Sequence, residues 1–325
     1  MQRREFLTLI GSAAAWPLAA HAQQPAMPVI GFLSIESLPP FAHTVAAFKK
    51  GLSEAGYVEG HNVQIEYRWA EDHNERLSEL AADLVSRRVR VIAAMGGIAI
   101  SAAKAQTTTI PIVFMTGGDP VKTGLVPALN RPNENITGAT WFSVDPMPKR
   151  LGILHGIVPN AAVIALLVDQ SFPDSVSRVN EVQEAARALG LKLIIFGIRT
   201  ADDIDTAFTS LLQQGAQALV VGPGGFHFSQ RDQIVALASR HAIPTIYPFR
   251  EFTLDGGLIS YGNNLQIAFR WAGAYVGRIL SGEKPVNLPV IQSTQFELVV
   301  NRKTAEALGL EIPPTLLAIA DEVID

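Results

Sequence analysis

Apolar and polar positions along the chain alternate between short buried runs and longer amphipathic stretches. Val29 to Leu33 is continuously apolar, as a strand covered on both faces would be. Phe41, Val45, Phe48, Leu52 and Ala55 follow at spacings of 4, 3, 4 and 3. That is one face of a helix, with Gly56 placed to close it. Within Asn62 to Trp69, Val63, Ile65, Tyr67 and Trp69 share one side of a strand. His73 to Arg88 reads as a charged amphipathic helix. Val89 to Ala94 and Ile110 to Met115 read as strands, ended by Gly96-Gly97 and by Gly117-Gly118-Asp119-Pro120.

A second series begins near Pro148. Leu151, Leu154 and Val158 mark a helix, and Ala162 to Val168 a very apolar strand. Asp174 to Leu189 predicts a helix capped by Gly190, and Leu191 to Gly197 a strand. Thr200 with Asp203 forms a capping-box pattern, with Ile204, Phe208 and Leu211 on one face behind it. Ala218 to Val221 is a strand ended by Gly222-Pro223-Gly224-Gly225. A helix over Ser229 to His241, strands over Pro244 to Tyr247 and Leu258 to Tyr261, and a long helix over Leu265 to Leu280 complete the series.

Strands alternating with helices favour mostly parallel sheets covered on both faces. The pattern pauses at Asn130 to Pro148, rich in Pro, Asn and Gly, and then resumes. The expectation is an α/β protein of two similar lobes. Residues 28–140 with about 265–285 form lobe one. Residues 148–260 with about 296–325 form lobe two. The chain would cross between them near 141–147, 261–264 and 286–295.

Composition agrees with a large folded core. The 325 residues are 48% hydrophobic and 17% charged. The net charge of -4 leaves no basic surplus for phosphates, so nucleic acid is not an expected partner. With no cysteine, disulfides, thiolate catalysis and an acylated N-terminal Cys are excluded.

The first 22 residues read as an address. Arg3-Arg4, then Phe6-Leu7, an apolar run to Ala20 and the small-x-small site Ala20-His21-Ala22 resemble a twin-arginine signal. The apolar run is shorter than the roughly 20 residues a membrane helix needs. Cleavage after Ala22 would leave a soluble, exported protein suited to a periplasm.

In open parallel sheets, ligands bind beyond the carboxyl ends of the strands, beside helix N-termini. That rule selects Ser34 to Phe41, Met95 to Ser101 and Thr116 to Lys122 in lobe one. In lobe two it selects Asp169 to Asp174, Gly222 to Phe228 and Tyr247 to Phe252. Within these loops Gly96, Gly97, Gly118 and Gly224 allow close backbone approach, and their N–H groups suit a carboxylate. Ser34 and Ser171 offer hydroxyls. Asp119 is a candidate contact and equally a helix cap before Pro120. Asp169 and Glu251 suit an ammonium group. Phe226, Tyr247 and Tyr261 suit the flat faces of a ring.

Signatures of catalysis are missing. Gly222 to His227 begins like a dinucleotide fingerprint but ends in His. No P-loop, nucleophile elbow or zinc-spaced histidine pair occurs. No cofactor or metal is expected. An enzyme would have to rely on Asp119, Glu251 and His227.

Several stretches carry a family likeness. They include Gly56-Tyr57-Val58-Glu59-Gly60 leading to Ile65-Glu66-Tyr67-Arg68-Trp69, Asp119-Pro120-Val121, Pro148-Lys149-Arg150-Leu151, Ile246-Tyr247-Pro248-Phe249-Arg250-Glu251-Phe252, Ser260-Tyr261-Gly262 and Phe296-Glu297-Leu298-Val299-Val300-Asn301. In them the chain resembles the solute-binding proteins of ABC importers, in the family associated with tryptophan and tyrosine uptake. The resemblance implies two Rossmann-like lobes of the type I periplasmic binding protein kind, joined by a three-crossing hinge. It implies capture of a small solute, an amino acid or aromatic compound, followed by docking of a monomer on an ABC permease with its ATPase. Members tethered by a lipidated Cys exist, and this chain departs from them. An exported sensor serving a signalling receptor would use the same cleft.

Overall fold

The computed structural model describes residues 27–132, 135–141, 146–170 and 175–325. The expected signal segment and residues 142–145 and 171–174, with Ser171 among them, lie outside the described residues. The first series of elements is β1 (Val29–Ser34), α1 (Leu38–Glu54), β2 (Gln64–Trp69), α2 (Leu77–Ser86), β3 (Val91–Met95), α3 (Gly97–Gln106), β4 (Ile112–Thr116) and β5 (Ile136–Thr140). Next come α4 (Met147–Ile157), β6 (Val163–Asp169), α5 (Ser175–Ala188), β7 (Lys192–Ile198), α6 (Ala201–Gln213) and β8 (Ala218–Val221). After them stand α7 (Gly225–Ser229), α8 (Arg231–Arg240), β9 (Thr245–Tyr247), α9 (Arg250–Leu254) and β10 (Ile259–Asn263). The chain closes with α10 (Leu265–Leu280), β11 (Ile291–Gln292), β12 (Phe296–Asn301), α11 (Arg302–Ala307), α12 (Pro314–Ile319) and β13 (Glu322–Ile324).

These strands form two sheets. One runs β11-β5-β4-β3-β1-β2 and is parallel throughout. The other runs β13-β12-β10-β9-β8-β6-β7, parallel except where β12 meets β10. The chain passes between the sheets three times: between β5 and α4, between β10 and α10, and between β11 and β12.

Burial explains the continuous apolar runs. On β1, Ile30 and Phe32 pack into the layer of α1 and α10, while Leu33 packs with Leu77, Leu84 and Ile100 on the opposite face. Both faces are covered, so the strand has no polar side. Pro39 and Pro40 open the first turn of α1, where a missing N–H costs nothing. Glycine lets α1 and α10 lie backbone to backbone. A Cβ on Gly51 would stand 1.9 Å from the Arg270 carbonyl, and one on Gly273 2.0 Å from that of Phe48.

Three sequence expectations change. The pause at Asn130 to Pro148 contains β5, a full member of the first sheet between β4 and β11. Its threonines look like loop residues, yet both are buried and bonded to carbonyls. Thr137 Oγ1 donates to Leu288 O at 2.5 Å and Thr140 Oγ1 to Gly118 O at 3.0 Å. The crossing expected near 286–295 likewise contains β11, the edge strand beside β5. The helix read over His73 to Arg88 starts as a short 3-10 turn at Asn74–Arg76 and becomes α2 at Leu77.

Candidate functional site

A cavity of about 380 Å³ lies where the carboxyl edges of the two sheets face each other. In the first sheet β2 and β3 leave β1 in opposite directions, and in the second β7 and β8 leave β6 in the same way. Such switch points open a crevice beyond the strand ends. Lobe one contributes Ile35 and Glu36 after β1, Asp72 and Asn74 after β2, Gly96 and Gly97 at the start of α3, and Thr116 and Gly117 at the end of β4. Lobe two contributes Asp169 and Gln170 at the end of β6, Arg199 after β7, Gly224 to Phe226 after β8, and Phe249 after β9. Phe41, Trp141, Phe228 and Phe269 add aromatic wall. An apolar cavity of this size with a few converging polar groups suits a small organic molecule.

The polar groups are mostly carboxylates. Glu36 is 8% exposed and accepts a hydrogen bond from the Ser34 hydroxyl on Oε2. Burial pushes its carboxyl up to about 7, against the pull of Ser34, and the neighbouring Asp72 and Asp169 push the same way. Burial also raises Asp72, with the Ser229 hydroxyl opposing. Asp169 Oδ2 accepts the Phe226 N–H at 3.3 Å. Arg199 reaches the cavity rim with Nε donating to Gln170 Oε1 at 2.5 Å. The capping box behind it positions this residue. Asp203 Oδ2 accepts from the N–H groups of Arg199 and Thr200, both at 2.9 Å. These backbone donors hold the Asp203 carboxyl below its usual range.

Among the residues singled out from sequence, Gly96, Gly97, Asp169, Gly224 and Phe226 line the cavity. Gly96 has φ of +88°, which favours glycine, and forms the N-cap of α3. The others stand elsewhere. Ser34 lies one step behind, orienting Glu36. Gly118 is drawn into the turn after β4, its N–H on Thr116 Oγ1 at 3.1 Å. Asp119 caps that turn, accepting from the N–H groups of Val121 at 2.9 Å and Lys122 at 3.2 Å. Tyr247 is not a wall of the cavity. It is 1% exposed and stacks on Phe252 within the core, because β9 turns its alternate side chain inward. Tyr261 stacks on Phe296, away from the cavity. Glu251 is buried, with Oε1 3.0 Å from His43 Nε2 of the other lobe. His227 is fully buried, its Nδ1 2.9 Å from Gly222 O, and burial pushes its pKa down. The acid–base set of an enzyme is therefore not assembled here, since Asp119, Glu251 and His227 all lie outside the lining.

Sequence reasoning missed Glu36, Asp72, Arg199 and Trp141 as lining groups. Glu36 lay inside a selected loop, two residues past Ser34. Asp72 and Arg199 follow β2 and β7, the strands on the far side of each switch point, whose loops were not selected.

The description "ABC transporter substrate binding protein" belongs to the family model that matches residues 26–324. The chain belongs to this family. Its members bind substrates for transport. The tyrosine-binding protein of Clostridioides difficile (strain R20291) is 25% identical over 283 residues, covering 87% of this chain and 81% of that protein. The ABC domain from Streptococcus pneumonia, solved in complex with L-Trp, is 23% identical and superposes with a TM-score of 0.81. The match covers 91% of this chain and 99% of that one. A substrate-binding protein with adhesive properties from Clostridium difficile, in its ligand-free, open structure, is 26% identical with a TM-score of 0.65 over the same shares. The fold of this substrate-binding protein is that of the type I periplasmic binding proteins.

Proposed function

We propose that this chain is the solute-receiving component of an ABC importer. It takes a small amine-bearing solute with an aromatic or apolar body into the cavity, closes on it and delivers it to a membrane permease driven by its ATPase. Aromatic amino acids head the candidates. The observation that carries this reading is that both lobes furnish the cavity walls. A solute touching both favours the closed arrangement, whereas one touching a single lobe shifts nothing.

The aromatic walls suit a ring, the carboxylates suit an amine, and the first N–H groups of α3 suit a carboxylate. The relatives named for tyrosine and solved with L-Trp support the same class. The lower TM-score against an open structure is what lobes standing closer together would give. The N-terminal segment would direct export and be cleaved after Ala22, leaving a periplasmic monomer. Residues 141–147, 261–264 and 286–295 would act as the hinge between lobes.

Native mass spectrometry of gently purified protein, followed by a thermal-shift panel of amino acids and aromatic amines, tests the proposal. A co-purified solute, or a concentration-dependent rise in melting temperature with an aromatic amine or amino acid, is the expected result. A panel that leaves the melting temperature unmoved, with no solute carried through purification, counts against it.

A further inference from the structure

Trp141 stands where the chain leaves the first sheet. It follows Thr140, the last residue of β5, and its N–H donates to Thr116 O at 3.2 Å. The backbone is thereby fixed to lobe one at the entrance to the crossing expected over 141–147. The side chain is half-buried and lines the cavity. It packs against the apolar layer of β1, α1 and α10 in lobe one and against that of α6, α8 and β9 in lobe two. Among the described apolar residues that are partly buried, no other packs against clusters of both lobes.

Other aromatic walls of the cavity are already matched with one another. Phe41 packs on Phe228 with ring centroids 4.6 Å apart, and Phe228 meets Phe249 edge-on at 5.8 Å. The indole of Trp141 pairs with no aromatic ring among the described residues. Its two-ring face on the cavity is therefore left for a ring brought by the solute. Stacking of that kind adds to simple burial an increment of about two- to tenfold in affinity. An aliphatic solute of similar bulk fills the same volume and gains no such increment.

We propose that Trp141 is the specificity-determining residue of this cavity: the solute's ring lies on its indole face, so one side chain at the first crossing both selects aromatic over aliphatic solutes and links ring binding to lobe closure. The inference rests on the reading of this cavity as the solute site. The link to closure follows from where the indole is held. Parting the lobes withdraws the core of lobe two from it, whereas a ring seated on an indole braced by both cores favours the closed arrangement.

Calorimetry on the mature chain with L-tyrosine, L-phenylalanine and L-leucine tests this, in the wild type, Trp141→Phe and Trp141→Leu. Trp141→Leu should weaken both aromatic solutes about two- to tenfold and move L-leucine by less than about twofold. Trp141→Phe should recover most of the lost aromatic-to-aliphatic ratio. A residue that only packs the crossing would weaken all three solutes alike, and that result overturns the inference while leaving the importer reading standing. A second measurement keeps Trp141 in place. Of Trp69, Trp141 and Trp271, which the mature chain retains, only Trp141 lines the cavity. In the variant carrying Trp69→Phe and Trp271→Phe, L-phenylalanine should shift the remaining indole emission and shield it from acrylamide, saturating at the affinity found by calorimetry. Saturable binding with emission and quenching unchanged overturns the inference. If none of the three solutes binds folded protein, the aromatic amino-acid reading of the cavity falls and this inference falls with it.

Discussion

His43 on α1 and Glu251 on α9 face each other across the lobe boundary, Nε2 to Oε1 at 3.0 Å. Phe41 packs on Phe228 beside them at 4.6 Å between ring centroids. Arg178 of α5 donates to Gly117 O at 2.9 Å, a further contact between the lobes. These contacts hold the walls of the cavity together, and under the proposed closure they part for a solute to enter. His43→Ala should leave each lobe's core intact and weaken the closed state. A partly exposed pair of this kind contributes about 1 kcal/mol or less. The expected loss of affinity is up to about fivefold, mainly as faster release. Stopped-flow displacement of a bound aromatic amine checks this, and an unchanged release rate contradicts it.

Glu36 ties stability to pH. Its carboxyl titrates at about 7 in the folded protein against 4.5 as the ordinary value. Between those values the folded state holds the proton and the unfolded state does not, so stability falls as pH rises from 4.5 through 7. The contribution of this one group is on the order of 3 kcal/mol. Glu36→Gln removes it. Melting curves of both proteins without solute should diverge as pH increases, the variant becoming the more stable. Parallel curves across that window would refute the assignment.

Gly224 and Gly225 separate folding from closure. A Cβ on Gly224 strikes Asp169, 2.1 Å from Oδ2 and 2.5 Å from Cβ, within the same lobe. Overpacking of this sort costs about 1–3 kcal/mol. A Cβ on Gly225 meets Glu36, which belongs to the other lobe. Gly225→Ala should therefore keep the melting temperature and lose at least tenfold in solute affinity, whereas Gly224→Ala loses stability first. Equal loss of melting temperature in both variants would argue that Glu36 and Gly225 do not part on opening.

Tyr247 and Phe226 make a second contrast. Tyr247 is enclosed by core and stacked on Phe252 at 5.0 Å. Tyr247→Ala should cost about 3–5 kcal/mol of stability. Phe226 stands on the cavity wall, half-buried. Phe226→Ala should spare stability and reduce affinity for solutes with a ring, as measured by urea unfolding beside calorimetry. A reversed pattern would move the cavity wall to Tyr247.

How legible each part was follows from what positioned it. Strand β1 and helix α10 stand where hydrophobic periodicity puts them, because each buries a continuous apolar surface. The Thr200–Asp203 capping box formed from local geometry alone. Strand β5 was hidden because Thr137 and Thr140 are satisfied by carbonyls distant in sequence, which no local pattern records. The strand-end rule selected the sheet edges between which the cavity lies. It did not tell which side chain of an alternating pair turns inward, so Tyr247 looked like a wall and Phe249 did not. Glu36 and Asp169 become neighbours only when the lobes meet, a relation between separate units that periodicity does not carry.

Small-angle X-ray scattering with and without saturating tyramine or L-tyrosine tests lobe closure most directly. If a solute is gripped between the lobes, its addition lowers the radius of gyration and brings the scattering profile to that of the closed arrangement described above. Saturable binding with an unchanged profile would mean that the solute sits elsewhere or that the lobes do not move.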